Sequence, residues 1–393
     1  MSKKKILGAC FALLILATTI IFATQYGQST VEKNLGAEVK LINTITVTVK
    51  RANGEVETYV KHGDPWLKNF FALITNAFFG RYYVSAYSIY KVDGSTFTQP
   101  EWAFTCSGYA LYPLVAIGVG TGSTSVSPYD YELAILTQRI DVASTGTVCN
   151  DNGTHIDMSF SASYTASDSI TIREVGLYWK GYSFCGYTAF YVLMARDLIT
   201  PITLAANDVL TVTYSVSIPY NRAPMLKNLA ALMANYIFGM KNYGKSISFL
   251  TMTSTTTDVM DIGIDYYYNS YEDTIQEYAY VTIGSGDPIY RPTLSNLYQR
   301  VANSSSYVTI NLALNSTHAV ISLSGVGITV TTNSYVIKEV GLFIKSTDIN
   351  PDKATNKQDV LLLYFPLSTP VSVPAGSGIK FTFTLAFPLA PSE

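Results

Sequence analysis

The chain has 393 residues, 48% of them apolar and only 14% charged, and its net charge of −2 offers no basic footprint for nucleic acid. That length exceeds one ordinary domain and fits two with an appendage. Thirty tyrosines in so weakly charged a chain supply rigid, polar-tipped contact area, which points to an exposed β-rich protein outside the cytosol.

Three lysines (Lys3 to Lys5) precede an uncharged apolar run from Ile6 to Thr24, which at helical rise spans about 28 Å. A retained membrane anchor and a cleaved signal peptide both fit this run. The anchor is favoured because no small-x-small cleavage site stands out. Either way the N-terminus stays inside and the residues beyond Gln25 face outward. The expected layout is an anchor or signal segment over 1–25, a β-hairpin or stalk over 26–64, and two β-domains over 65–220 and 221–393.

In "INTITVTVKRANGEVETYVK", alternation around Asn53-Gly54 predicts a hairpin. Asp64 as N-cap and Pro65 at the first helical site then predict a helix from Trp66 to Gly80. That helix is apolar nearly all round and is expected to be buried. Beyond it the chain reads as strands and polar turns, apart from a short helical piece near "YELAILTQR".

The chain repeats itself. "LKNFFALITNAFFG" at Leu67 returns as "LKNLAALMANYIFG" at Leu226, identical at eight of fourteen positions. "AIGVGTG" at Ala116 returns as "TIGSGDP" at Thr282, "LTQR" as "LYQR", and "IREVGLYWK" at Ile172 as "IKEVGLFIK" at Ile337. The closing strand "TPITLAANDVLTVTYSVSIP" returns as "TPVSVPAGSGIKFTFTLAFP". Landmarks in one order with slowly drifting offsets mean two copies of one unit, joined at "PYNRAP" (219–224). One helix with many short strands per copy predicts a mainly β fold of two tandem β-sandwich-like domains, each with a leading helix.

Candidate chemistry is sparse. In "GVGTGS" the third glycine is misplaced for a dinucleotide loop and no helix follows directly, so turn glycines are the better reading. His62, His155 and His318 align with no shared landmark and have no metal-binding neighbours. Asp348, Asn350, Asp352, Asn356 and Asp359 follow calcium-loop spacing, but Lys353 occupies the glycine position, and a polar hairpin loop is the stronger reading. Cys106, Cys149 and Cys185 allow one disulfide with one thiol left over. Sequons at Asn152, Asn303 and Asn315 are glycosylation candidates, weighed against chance in a Ser/Thr-rich chain. "DVMDIGIDYYYNSYEDTIQEY" (258–278) reads as an exposed contact segment. Glu174 and Glu339 sit on half-apolar strand faces and need partners. The arginines shared by both copies, Arg139 and Arg300, are the expected ones, in structural pairs Glu174–Arg139 and Glu339–Arg300.

The order "AIGVGTGSTSVSPYDYELAILTQR", "EVGLYW", "DVLTVTYSVSIP" resembles a β-rich, tail-fibre-like module of virion proteins from tailed phages and archaeal viruses. Gly118, Gly120, Thr121, Pro128, Leu133, Arg139, Glu174, Gly176 and Leu177 carry the resemblance in copy one. Gly284, Gly286, Pro288, Arg300, Glu339, Gly341 and Leu342 carry it in copy two, where the turn is shortened to "GDPIYRP". The resemblance implies a non-enzymatic structural protein on a virion surface or the extracellular face of a membrane, without cofactors. Its partners would be further copies, other virion or surface proteins, the membrane through residues 6–24, and a host glycan or protein. A prokaryotic cell-surface filament subunit or adhesin is the alternative, and a secreted glycan-active enzyme the third reading.

Overall fold

The computed structural model describes residues 30–63, 66–78, 87–97, 114–182, 189–240, 243–250, 255–256, 279–303, 309–315, 317–324, 327–330, 332–344 and 359–389. The apolar segment 6–24 lies outside them, and among the described residues no helix is long and apolar enough to cross a membrane.

The fold is mainly β. The strands of the first half are β1 (Thr30–Glu38), β2 (Ile42–Lys50), β3 (Val56–Gly63), β4 (Leu114–Gly120), β5 (Leu136–Asp141), β6 (Thr147–Asp151), β7 (His155–Thr165), β8 (Ile170–Tyr182), β9 (Ala189–Leu204) and β10 (Val209–Pro219). Those of the second half are β11 (Ala279–Gly284), β12 (Arg300–Asn303), β13 (Thr309–Leu314), β14 (His318–Ser324), β15 (Tyr335–Ile344), β16 (Val360–Val373) and β17 (Gly378–Pro388). Helix α1 (Lys68–Phe78) precedes β4, and α2 (Lys227–Leu232), extended by a π turn at Met233–Ile237, precedes β11.

Sheet topology repeats with the sequence. One sheet has the order β9-β8-β4-β5 and its counterpart β16-β15-β11-β12. The others run β3-β2-β10-β7-β6 and β1-β17-β14-β13. The strand "IREVGLYWK" is therefore central, between β9 and β4, as "IKEVGLFIK" is between β16 and β11. The segment "LTQR", read as part of a short helix, lies instead in strand β5, paired with β4.

The 38–61 hairpin is not a detached stalk. Its β2 is antiparallel to β10 over nine registered pairs, burying Ile45, Val47 and Val49 while threonines line the other face. Gly54 takes φ +91° at its tip, as the Asn-Gly turn requires. The tip is locked down by Asp208: Ala52 N and Ala205 N each donate to its carboxylate at 2.9 Å, and Arg51 Nη1 at 3.0 Å. These bonds hold the Asp208 carboxyl below its ordinary range, with the Ala205 and Ala52 amides contributing most and Arg51 next. A depressed carboxyl stabilises the fold at neutral pH and loses that contribution as pH falls below about 4. Asp208→Asn should therefore melt below the wild type at pH 7, with the gap closing as pH falls below about 4 in thermal melts.

Each helix enters against its own copy. Leu67 N donates to Met194 O and Lys68 N to Pro128 O; Lys227 N donates to Pro292 O in the same manner. Each helix also carries two buried asparagines seven residues apart, which bind the backbone that follows. Asn69 and Asn76 exchange paired bonds with Tyr90 and Tyr87 at 2.8–3.0 Å. Asn235 does the same with Ile247 at 2.8 Å, and Asn228 accepts from Leu250 N at 2.9 Å. A side-chain amide at these sites acts as a short stretch of strand edge, satisfying groups that burial would otherwise orphan.

The helices also join the copies. Phe238, after α2, lies 5.9 Å from the rings of Trp66, Phe70 and Phe160, all of copy one. Phe71 of α1 lies 5.2 Å from Phe387 of β17. The exchange is reciprocal in polar terms too. Val115 N donates to Tyr243 Oη at 2.9 Å, while Leu312 N donates to Tyr87 Oη, each tyrosine lying in the segment that follows its copy's helix. One core cluster accordingly runs through both halves.

Candidate functional site: two buried glutamate clamps

The repeated glutamates are the strongest candidates for chemistry, because both are fully buried. A register shift between Ile172 and Glu174, matched between Ile337 and Glu339, marks a bulge ahead of each. A bulge re-aims the side chain that follows it. Glu174 then faces Gly120 across β4, and Glu339 faces Gly284 across β11.

Around Glu174 every acceptor site is used. Oε1 receives Gly122 N at 3.0 Å and Ile135 N at 2.8 Å; Oε2 receives Ala134 N at 3.1 Å and Arg196 Nε at 2.9 Å. Arg196, only 2% exposed, continues to Asp130 at 2.6 Å and Thr124 O at 2.9 Å. Desolvation pulls the Arg196 guanidinium down, but the bonds to Asp130 and Glu174 outweigh it and hold the charge in place. Together these groups pin both ends of the connection between β4 and β5.

The glycines explain themselves here. A Cβ on Gly122 would sit 2.3 Å from Glu174 Oε1, and one on Gly284 2.4 Å from Glu339 Oε1. "GVGTG" and "E-x-GL" are thus two halves of one device, a carboxylate clamp and the space it occupies. Gly120→Ala places a methyl 2.5 Å from Ile135 O, a backbone atom that cannot step aside. It should destabilise by about 2 kcal/mol, read as a lowered midpoint in denaturant.

Copy two builds the clamp without the ion pair. Glu339 accepts from Gln299 N at 2.9 Å, Tyr298 N at 3.1 Å and Tyr364 Oη at 3.1 Å. Tyr364 faces Gly341 as Arg196 faces Gly176, so a phenol takes the arginine's position. Burial first and Glu339 second drive that phenol above its ordinary range, so it stays a donor.

The expected pairing was therefore wrong in its partner. Arg139 binds Glu132, which also accepts from Tyr178 Oη, and its guanidinium lies over the rings of Tyr178 and Tyr191. In copy two Asn296 occupies the place of Glu132, each bonding the next residue's amide. Arg300, lacking that carboxylate, donates to Tyr280 Oη and Thr282 Oγ1 at 3.1 Å and covers Phe343. No Glu339–Arg300 ion pair occurs among the described residues. Sequence reasoning missed Arg196 because it sought an arginine common to both copies, and Arg196 has none.

The histidines also needed correction. His155 and His318 do occupy equivalent positions, at the starts of β7 and β14. In "NGTH" and "NSTH" the asparagine Oδ1 accepts from the threonine N, threonine Oγ1 and histidine N, at 2.9–3.0 Å over His155 and 2.7–3.1 Å over His318. The sequons at Asn152 and Asn315 are therefore matching Asx-type turns on the surface. Asn303 is exposed and accepts from Thr282 Oγ1 at 3.0 Å.

Of the cysteines, Cys149 is a free thiol whose pKa burial raises to about 12, so it is a poor nucleophile. Cys106 and Cys185 lie outside the described residues. So do Asp348, Asn350, Asp352 and Asn356 of the calcium candidate, and segment 258–278. Asp359 accepts from Tyr280 Oη. Among the described residues no cluster of His, Cys, Asp or Glu could hold a metal.

Comparison with family models, curated proteins and solved structures gives no match. The reading of the site therefore stands on its geometry. Glu174, sealed from water with all its lone pairs engaged by backbone and one fixed side chain, has no capacity left for a substrate, and Glu339 is as deeply buried with three donors on it. What the clamps can do is hold a long turn against a central strand, twice.

Proposed function

We propose that the chain is an exported structural subunit of a virus particle surface, built of two tandem β-sandwich-like units, each with a leading helix, and acting in assembly or host attachment. The observation that carries this reading is the burial of both clamps: the motif most suggestive of chemistry is turned inward in each copy and bound to the protein's own donors. What faces outward is contact surface. Val56 and Val60 on edge strand β3 are 58% and 57% exposed, and Tyr129 and Tyr131 stand out beside Tyr90 on the turn that Arg196 braces. Edge strands and exposed tyrosines suit protein or glycan contacts that depend little on charge. The work is non-enzymatic and its place is the outer face of a particle or membrane.

A cell-surface filament subunit is the second reading, favoured by the parallel pairing of β1 with β17, which lets the first strand of the described residues complete the sheet built by the last. Antibodies against residues 30–389 separate the readings on material from the source. Label on purified particles supports the virion assignment, label on cell-attached threads supports the filament, and label confined to the cytosol contradicts both.

A further inference from the structure

Copy two lacks the element that completes copy one. In copy one the edge of β10 is covered by β2, which β3 covers in turn. Between β10 and α2 the chain runs directly through residues 220–226, with no second hairpin. The matching edge of β17 is covered instead by β1, from the opposite end of the sequence and in parallel orientation, from Thr30 facing Gly378 to Glu38 facing Ala386. Beneath that edge lie the buried Phe381, Phe383 and Leu385, so the edge needs a cover.

β1 is lightly held for a strand with that task. It is the outermost strand of its sheet, and only Val31, Leu35 and Ala37 pack partly into the core. Its ion pair, Glu32 with Lys380 at 3.8 Å, is exposed. A three-residue link, Val39–Leu41, carries the chain onward into β2. That link borders an open groove of about 570 Å³, lined by Glu38, Lys40, Ile42, Arg222, Pro224 and Met225 at the junction between copies. Val39 N extends the pairing to Ala386 O at 2.8 Å and Val39 and Leu41 are buried, so a crossing into a neighbour falls at the exposed Lys40 beside the groove.

We propose that β1 is an exchangeable strand, and that in the assembled protein the β17 edge of each subunit is occupied by β1 of a neighbouring copy of this chain. This inference rests on the subunit reading above. The registered bonds and the Glu32–Lys380 pair are the same whichever chain supplies β1, so only the link changes course. Each subunit gives one strand and accepts one. Such a head-to-tail interface closes into a ring or runs on as a filament, according to its rotation.

The test uses Asn34 and Thr382, which face each other in register. Full-length N34C/T382C protein is treated with a short thiol-bridging reagent over a range of concentrations and run on denaturing gels, with each single variant controlling for the native cysteines. The proposal expects a ladder of covalent multimers that grows with concentration and needs both substitutions. A single-chain product in samples whose micrographs show assemblies overturns strand exchange and leaves the subunit reading standing. A single-chain product without assemblies at any concentration overturns both. A synthetic peptide of sequence TVEKNLGAE, added in excess to wild type, should shorten the assemblies several-fold by capping β17 edges; unchanged lengths count against the exchange.

Discussion

Glu174→Ala is expected to lower stability by about 4 kcal/mol, because it removes the acceptor for three backbone amides and leaves Arg196 buried with half its neutralising charge. In a chain of this size that corresponds to a melting temperature lower by roughly 5 °C. Glu339→Ala should cost less, about 2 kcal/mol, because only neutral donors lose their partner there. The ordering of the two variants is the informative part. If the clamps were one architecture with two chemical solutions, the copy with the ion pair should suffer more. Equal, negligible losses in both would show that the carboxylates do not carry the fold.

Phe238→Ala is expected to have the second large effect, about 4 kcal/mol, by opening a cavity where the copies meet. Its ring is fully buried among Trp66, Phe70 and Phe160. Because the core is continuous, the loss should appear as a lower midpoint of one cooperative denaturant transition. Separation into two transitions would mean that the halves fold independently and that the helices only decorate their junction.

The duplication and the β character were readable because they rest on local pattern: alternation, turn glycines and landmarks in a fixed order. The partner of Glu174 was not readable. Arg196 lies on the next strand, and which arginine reaches a carboxylate depends on a bulge that strand periodicity does not reveal. The equivalence of His155 and His318 was legible in the matching "NGTH" and "NSTH", and it was missed because each histidine was compared with the other landmarks instead of with its counterpart. The role of Asn53-Gly54 was plain in the sequence, whereas its docking onto Asp208, far along the chain, required the sheet to be assembled first. The origin of the strand covering β17 was likewise beyond local reading, since nothing in "TVEKNLGAE" names a partner at residues 378–386.

Both clamps, the asparagine-bound helices and the shared aromatic core describe a chain whose polar motifs build a scaffold and leave its edges and tyrosines for contact. Electron microscopy of the purified full-length protein over a range of concentrations tests that most directly. The account predicts regular assemblies, filaments or particle-like shells, with subunits meeting through strand edges. Dispersed single chains at every concentration would contradict it.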